Sequence, residues 1–341
     1  FYLSLFILII MLYNKFTTMA ALLLLTVVGM AMAASGPIMI AQENGLDSLT
    51  IRSLGTPSIH TNPLPGTELV KLKGTTSLLI DGISFTVNAV VGTNYYVMLA
   101  FDVDIFLYGI NLETGTVFID NYSPNQEYIY VYGLSYDAKS DYLIGLSSIN
   151  YPDVQEFFDV VEIDQSTGAI AKNFSFGEFP SDTVYSGIYA FNQDDSELYV
   201  VFRGYTNASE STQEGMVVVN TLTGQVSRTV WFTGFQSNDM WLNSLAYDPF
   251  TKSLVGCTHT YIGTNPAFVR IGTQTAEVVL ISNDGTVAGG NGPVILPGGI
   301  FAAPGHDDVS SNTIFYVNTT TGDVLGHHSD TDVLVEFLQV Y

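Results

Sequence analysis

Basic residues are scarce in this sequence: ten Lys and Arg stand against 33 Asp and Glu, for a net charge of -23. A surface of that sign repels phosphate backbones and anionic headgroups, which argues against nucleic acid as a partner and favours cations. The same acidity would also keep an exported protein soluble. Cysteine occurs once, at Cys257, so neither an intramolecular disulfide nor a Cys/His zinc spacing can be built. It lies in Ser253-Leu-Val-Gly-Cys-Thr258, a strand-like run that predicts a buried structural thiol. G-x-S-x-G, H-E-x-x-H and G-x-x-x-x-G-K-[ST] are all missing, which removes the common signatures of nucleophilic, zinc-dependent and phosphate-binding sites. Strong helical periodicity is missing too.

What is present is apolar. A hydrophobic fraction of 47% and an aromatic fraction of 13% describe a packed globular chain, and 341 residues suffice for one large all-β unit or two ordinary domains. The first 34 residues hold one base, Lys15, and no acid. If translation starts at Met11, residues 1–34 read as a signal peptide, with Lys15 in the n-region, Ala20 to Gly29 as the h-region and Ala31-Met-Ala33 as the cleavage site. Residues 1–10 would then lie upstream of the true start. A signal anchor is the alternative, although each apolar run is shorter than the roughly 20 residues that span a bilayer, so no stable membrane span is expected. Asn121, Asn173, Asn207 and Asn318 each open an N-x-S/T sequon, which together with the leader points to a secreted, N-glycosylated, extracellular protein.

The mature chain is organised by a turn that recurs five times, Asx-x-x-Thr-Gly: Asn111 to Gly115, Asp164 to Gly168, Asn220 to Gly224, the eroded Gly272 to Ala276, and Asn318 to Gly322. The Asx side chain accepts backbone N–H groups two or three residues on, and Gly takes the left-handed conformation that closes the loop. Ala276 at that last position should cost roughly 1 kcal/mol, which predicts a relaxed or differently shaped fourth turn. Successive Thr positions lie 53, 56, 52 and 46 residues apart, and self-similarity at that period marks a repeat architecture. Each repeat has an earlier half as well, in which an apolar strand ends at Asp137, Asn192 or Asp248 and a second strand follows within a few residues. Two hairpins per repeat make four strands.

Four-stranded units of about 50 residues in series predict an all-β β-propeller after an N-terminal signal peptide. Each small sheet has two apolar faces, and only neighbouring sheets on both sides can cover them. The 307 residues after the leader imply six blades, with five or seven as alternatives, and a two-sheet sandwich as the rival fold. Residues 35–66, interrupted by Pro57, Pro63 and Pro65, predict an N-terminal arm or partial first blade, and residues 67–341 the propeller. A hairpin is expected around Gly74, from Leu69 to Lys73 and Ser77 to Ile80. The final apolar run, Val333 to Val340, would complete the first blade.

The run Thr313-Ile-Phe-Tyr-Val-Asn318 followed by Thr-Thr-Thr-Gly-Asp-Val324 resembles the YVTN-type propeller repeat. The recurring Asx-x-x-Thr-Gly core is similar to quinoprotein-like (PQQ-type) repeats, in which a Trp follows the Thr-Gly and docks between blades. Only Trp231 stands near such a place, and it is displaced.

Candidate chemistry is confined to carboxylates and histidines. Asp102 and Asp104 stand at strand ends, and His306, Asp307 and Asp308 sit in a long loop of the last repeat, where oxygen ligands on one rim would suit a hard cation such as Ca²⁺. The alternative there, and at Asp194-Asp195, is solvated turn carboxylates. His327 and His328, with Asp330 and Asp332, are a candidate transition-metal patch, but adjacent side chains on a strand point to opposite faces, and structural or solvent-exposed histidines are the alternative. The Gly/Pro-rich tract from Gly289 to Gly299 reads as a flexible inter-blade loop. No catalytic residue and no cofactor is assigned. The expectation is a binding or structural module for an extracellular protein or glycan, or for copies of itself. The alternative is a secreted lactonase-like hydrolase or quinoprotein using a divalent cation.

Overall fold

The computed structural model describes residues 39–45, 48–55, 67–73, 85–101, 104–122, 129–149, 157–180, 183–205, 212–235, 240–260, 267–282, 292–305, 313–329 and 337–340. The leader at 1–34 and the half-hairpin at 77–80 lie outside them. The segment 35–66, expected as an arm or partial blade, contains two strands, β1 (Met39–Gly45) and β2 (Ser48–Gly55), which pair with β3 (Thr67–Lys73). Five further sheets are each made of four consecutive strands. They are β4 (Phe85–Val91), β5 (Asn94–Phe101), β6 (Asp104–Asn111) and β7 (Val117–Tyr122); then β8 (Ile129–Asp137), β9 (Tyr142–Ile149), β10 (Phe157–Ile163) and β11 (Ile170–Glu178). Next come β12 (Thr183–Asn192), β13 (Glu197–Tyr205), β14 (Thr212–Asn220) and β15 (Gln225–Trp231), and β16 (Met240–Asp248), β17 (Ser253–Thr260), β18 (Phe268–Ile271) and β19 (Val278–Ser282). The fifth is β20 (Val294–Leu296), β21 (Ile300–Gly305), β22 (Thr313–Asn318) and β23 (Val324–Ser329).

The last strand, β24 (Phe337–Val340), pairs antiparallel with β1, from Met39 opposite Val340 to Gln42 opposite Phe337. The chain therefore holds five blades of consecutive strands, not six; the remaining four-stranded sheet, β24-β1-β2-β3, is a composite of the two ends of the unit. First strands of neighbouring sheets touch in order, β4 with β8, β8 with β12, β12 with β16 and β16 with β20, while β24 touches both β20 and β4. All strand pairs are antiparallel, and the architecture is a β-propeller.

Packing between blades explains the continuous apolar runs. In Leu198-Tyr-Val-Val-Phe202, Leu198, Val200 and Phe202 join Ile144, Leu146, Phe158 and Val160 of the second blade. Tyr199 and Val201 point the other way, into a cluster with Leu245, Leu254, Val269 and Ile271 of the fourth. A strand covered on both faces needs no polar alternation. Cys257 is fully buried and in no disulfide, packed with Phe268, Phe301 and Phe315 between the fourth and fifth blades, as its strand-like setting predicts. The tract expected as a flexible inter-blade loop is in part regular: Val294–Leu296 is strand β20, and Gly298 and Gly299, with φ of 88° and 71°, form the turn into β21.

The five Asx turns all join third to fourth strands, at the outer hairpin of each blade, and the short turns between first and second strands lie at the same ends of the sheets. The two turns are stitched together: the amide after the Asx residue donates to the inner turn, Leu112 N to Thr93 O, Thr221 N to Ser196 O and Thr319 N to Gly299 O, at 2.8 to 2.9 Å. The fourth turn corrects the sequence expectation. Ala276 adopts φ of 56°, beside 68°, 71°, 69° and 76° for Gly115, Gly168, Gly224 and Gly322. Its amide donates to Gly272 O at 2.9 Å, the same closing bond as in the other four. The shape persists because the Ala276 methyl is fully buried in the core between the third and fourth blades, and that burial offsets the backbone strain.

Candidate functional site

Where the turns of the first and second blades meet, they leave an open groove of about 620 Å³. Its floor is Tyr96 of β5, whose buried ring meets Phe118 of β7 edge-on at 5.8 Å and whose hydroxyl donates to Gln165 O at 3.0 Å, across blades. Phe118 is 40% exposed, and its ring lies where a Cβ on Gly109 would intrude, so the lack of a side chain at 109 gives it its seat. The opposite wall consists of the two turns of the second blade, with Asp141 in the inner one and Asp164-Gln165-Ser166 in the outer one.

The two carboxylates are held in fixed orientation. Asp164 Oδ1 accepts from Ser166 N, Ser166 Oγ, Thr167 N and Thr167 Oγ1 at 2.6 to 3.0 Å. These hydroxyl and amide donors favour the charged form and hold the Asp164 carboxyl down at about 2. Asp141 Oδ1 accepts from Tyr136 Oη at 2.9 Å and from Gln165 Nε2 at 2.6 Å. Asp141 sits at φ of 61°, a left-handed conformation tolerated by Asp, with its amide bonded back to Asp137 O at 2.9 Å. The Tyr136 hydroxyl, hydrogen-bonded to Asp141, is pushed above its ordinary value. For both side-chain carboxylates the described donors fall on Oδ1.

Inter-blade clamps elsewhere engage three arginines. Arg203 pairs with buried Glu214 at 2.7 Å, and Glu214 Oε2 accepts from Leu242 N of the next blade at 2.8 Å. Burial pushes the Glu214 carboxyl up, while the Leu242 amide and the Arg203 guanidinium pull it back. Arg228 Nη2 and Arg270 Nη2 each donate to a carbonyl in the turn of the following blade, Thr273 O and Thr319 O, at 2.7 Å. Asp137, fully buried, accepts from Ser196 Oγ and Thr221 Oγ1 of the third blade at 3.2 and 3.0 Å. These groups are spent on holding blades together.

The residues singled out for metal binding are not gathered by any described contact. Asp102, His306, Asp307 and Asp308 lie outside the described residues, and Asp104 is the first residue of β6. Among the described residues no group of three or more His, Cys, Asp or Glu could hold a metal ion. Of the sequons, Asn207 is outside the described residues, Asn121 lies on β7, and Asn173 is exposed on the outer strand β11. Asn318 Oδ1 is engaged in the fifth turn, accepting from Thr320 N and Thr321 N at 2.8 and 3.0 Å. Trp231 is 37% exposed and meets Phe202 edge-on at 4.8 Å. Asp194 and Asp195 are turn carboxylates: Asp195 accepts from Asn192 Nδ2 at 3.1 Å and Asp194 from Tyr247 Oη at 3.2 Å. No helix among the described residues is long and apolar enough to cross a membrane.

The sequence matches no protein-family model and no curated protein. Solved structures are similar in fold. The chain is similar to a chain of the nidogen/laminin complex (TM-score 0.56, 9% identity, 89% of this chain and 97% of that one). It is also similar to TolB from Acinetobacter baumannii (0.55, 13% identity, 90% and 66%) and to a chain of Kuenenia stuttgartiensis hydrazine synthase (0.50, 10% identity, 80% and 71%). The fold is that of a β-propeller. At such identities the likeness carries the fold and no activity.

Proposed function

We propose that the protein is a secreted, N-glycosylated β-propeller that works as an extracellular binding module, with the composite sheet acting as the sixth, closing blade. The supporting observation is the groove between the first and second blades. It combines an exposed aromatic ring, two carboxylates fixed by turn hydrogen bonds, and a size in the range of small-molecule and oligomer sites. Binding through such a groove suits a protein whose rigid blades hold the contact residues and whose short turns present them. The leader and the exposed Asn173 sequon support an extracellular setting.

The test is expression of the full chain with a C-terminal tag in a eukaryotic secretory host. The tagged protein is expected in the medium, with a mass that falls on deglycosylation. Applied to cell surfaces, it should bind, and Phe118→Ala should bind at least about fivefold less, as expected for loss of a buried contact at the centre of a site. Retention of the chain inside cells, or equal surface binding by Phe118→Ala, contradicts this reading.

A further inference from the structure

We propose that the groove between the first and second blades takes a neutral oligosaccharide, with one pyranose ring stacked on Phe118 and its hydroxyls donating to the outward Oδ2 atoms of Asp141 and Asp164. This rests on the reading of the protein as a binding module at that groove, and it names the ligand class.

Three features carry it. An aromatic ring with one face open is a platform for the C–H face of a sugar ring, an apolar surface edged by hydroxyls. Phe118 is the exposed aromatic ring of the groove, seated beside Gly109 and in edge-on contact with Tyr96. Apart from Tyr142 the remaining lining is polar, with Asn94, Ser140, Gln165 and Ser166 supplying amides and hydroxyls, and no aliphatic side chain lines it as the apolar pockets for a peptide's side chains would need. The carboxylates are preorganised acceptors. Every described donor to the Asp164 and Asp141 carboxylates falls on Oδ1, which fixes both groups in place with Oδ2 as the acceptor proposed for a ligand hydroxyl.

Charge disfavours an anionic sugar. An anionic saccharide would meet two fixed carboxylates, and the nearby ammonium of Lys172 is already held by Glu162 at 2.7 Å. A groove open along its length admits several linked rings rather than one enclosed monosaccharide.

The sequence repeat supplies a conservative variant. Three sister turns carry Asn where this one carries Asp164, and Asn111, Asn220 and Asn318 accept the same backbone amides through Oδ1. Asp164→Asn therefore keeps the turn and changes only the outward atom, from an acceptor to a donor. The experiment is isothermal titration calorimetry on the full secreted chain, with cellohexaose, maltohexaose and mannohexaose as neutral probes and an oligoglucuronate as the anionic one. At least one neutral hexaose is expected to bind, unchanged by EDTA, and the oligoglucuronate to bind more weakly. Phe118→Ala should weaken binding about tenfold or more and Asp164→Asn about fivefold at unchanged Tm. Leu222→Ala, an exposed side chain on the turn of another blade, should have no effect. No binding by any neutral probe, indifference to both groove variants, preference for the oligoglucuronate, or loss of binding in EDTA overturns the proposal. If Phe118→Ala proves unstable, Asp164→Asn alone decides it. Cell-surface binding that depends on Phe118 but survives enzymatic deglycosylation of the cells overturns the saccharide and leaves the module reading intact.

Discussion

Ala276 and Gly272 share one turn, and each departs from the pattern of the other four. A left-handed Ala carries a strain of about 1 kcal/mol, and its buried methyl returns about 0.8 kcal/mol. Ala276→Gly relieves the first, loses the second and loosens the unfolded chain, so its effect should stay within about 1 kcal/mol of zero. Gly272 lacks the side-chain acceptor that Asn111, Asp164, Asn220 and Asn318 provide, and the only atom close to a new Cβ is the rotatable Thr275 Oγ1. Gly272→Asn should restore the turn hydrogen bonds and stabilise by about 1 kcal/mol, raising the urea midpoint without changing the slope. Local chemistry of this kind was legible in the sequence, down to the spacing of the five copies. The shape of the fourth turn was not, because what holds Ala276 left-handed is a core shared with residues of the neighbouring blade, such as Met216 and Val218.

At the scale of elements, blades are joined by apolar clusters and by a few polar clamps. Gly224 at φ of 69° packs its Cα against Phe174 of the preceding blade, where a Cβ would come within 2.3 Å of that ring. Gly224→Ala should therefore cost more than the roughly 1 kcal/mol of left-handed strain alone, read as a lower Tm. Glu214→Leu would strand Arg203 and the Leu242 amide in a buried interface and should cost about 3 kcal/mol or more, whereas Glu214→Gln keeps an acceptor and should cost less. Calorimetry of the two variants checks the order. Strands and their two buried faces were readable from runs such as Leu198 to Phe202, because period-two alternation inside a doubly covered strand leaves a continuous apolar string. The composite sheet was readable only in part. An apolar final run suggested closure, but the prolines of 35–66 masked β1 and β2.

For the whole molecule, burial raises the hydroxyls of Tyr108, Tyr199, Tyr247 and Tyr316. Burial, with Asp120 beside Tyr108 and Asp194 beside Tyr247, pushes both hydroxyls up to about 12. A phenol whose pKa is raised on folding contributes stability that is complete below about 10 and is lost as pH climbs towards 12. Alkaline unfolding is thus expected across that window, with tyrosinate absorbance rising alongside loss of β-sheet circular dichroism. The groove was the least legible feature, since Tyr96 and Gln165 meet across 69 residues and no local pattern ties them together. One sign was present: of the five turns, only the second opens with a carboxylate, Asp164, where the others carry Asn or Gly.

Hydrogen–deuterium exchange on the full chain, with and without a bound hexaose, tests most directly whether that groove is the working surface. Protection is predicted in the two turns of the second blade, residues 138–142 and 164–168, and around Tyr96 and Phe118 of the first, with little change in the turns of the fourth and fifth blades. Protection confined to the connections at the opposite ends of the strands, or spread evenly over all blades, would contradict it.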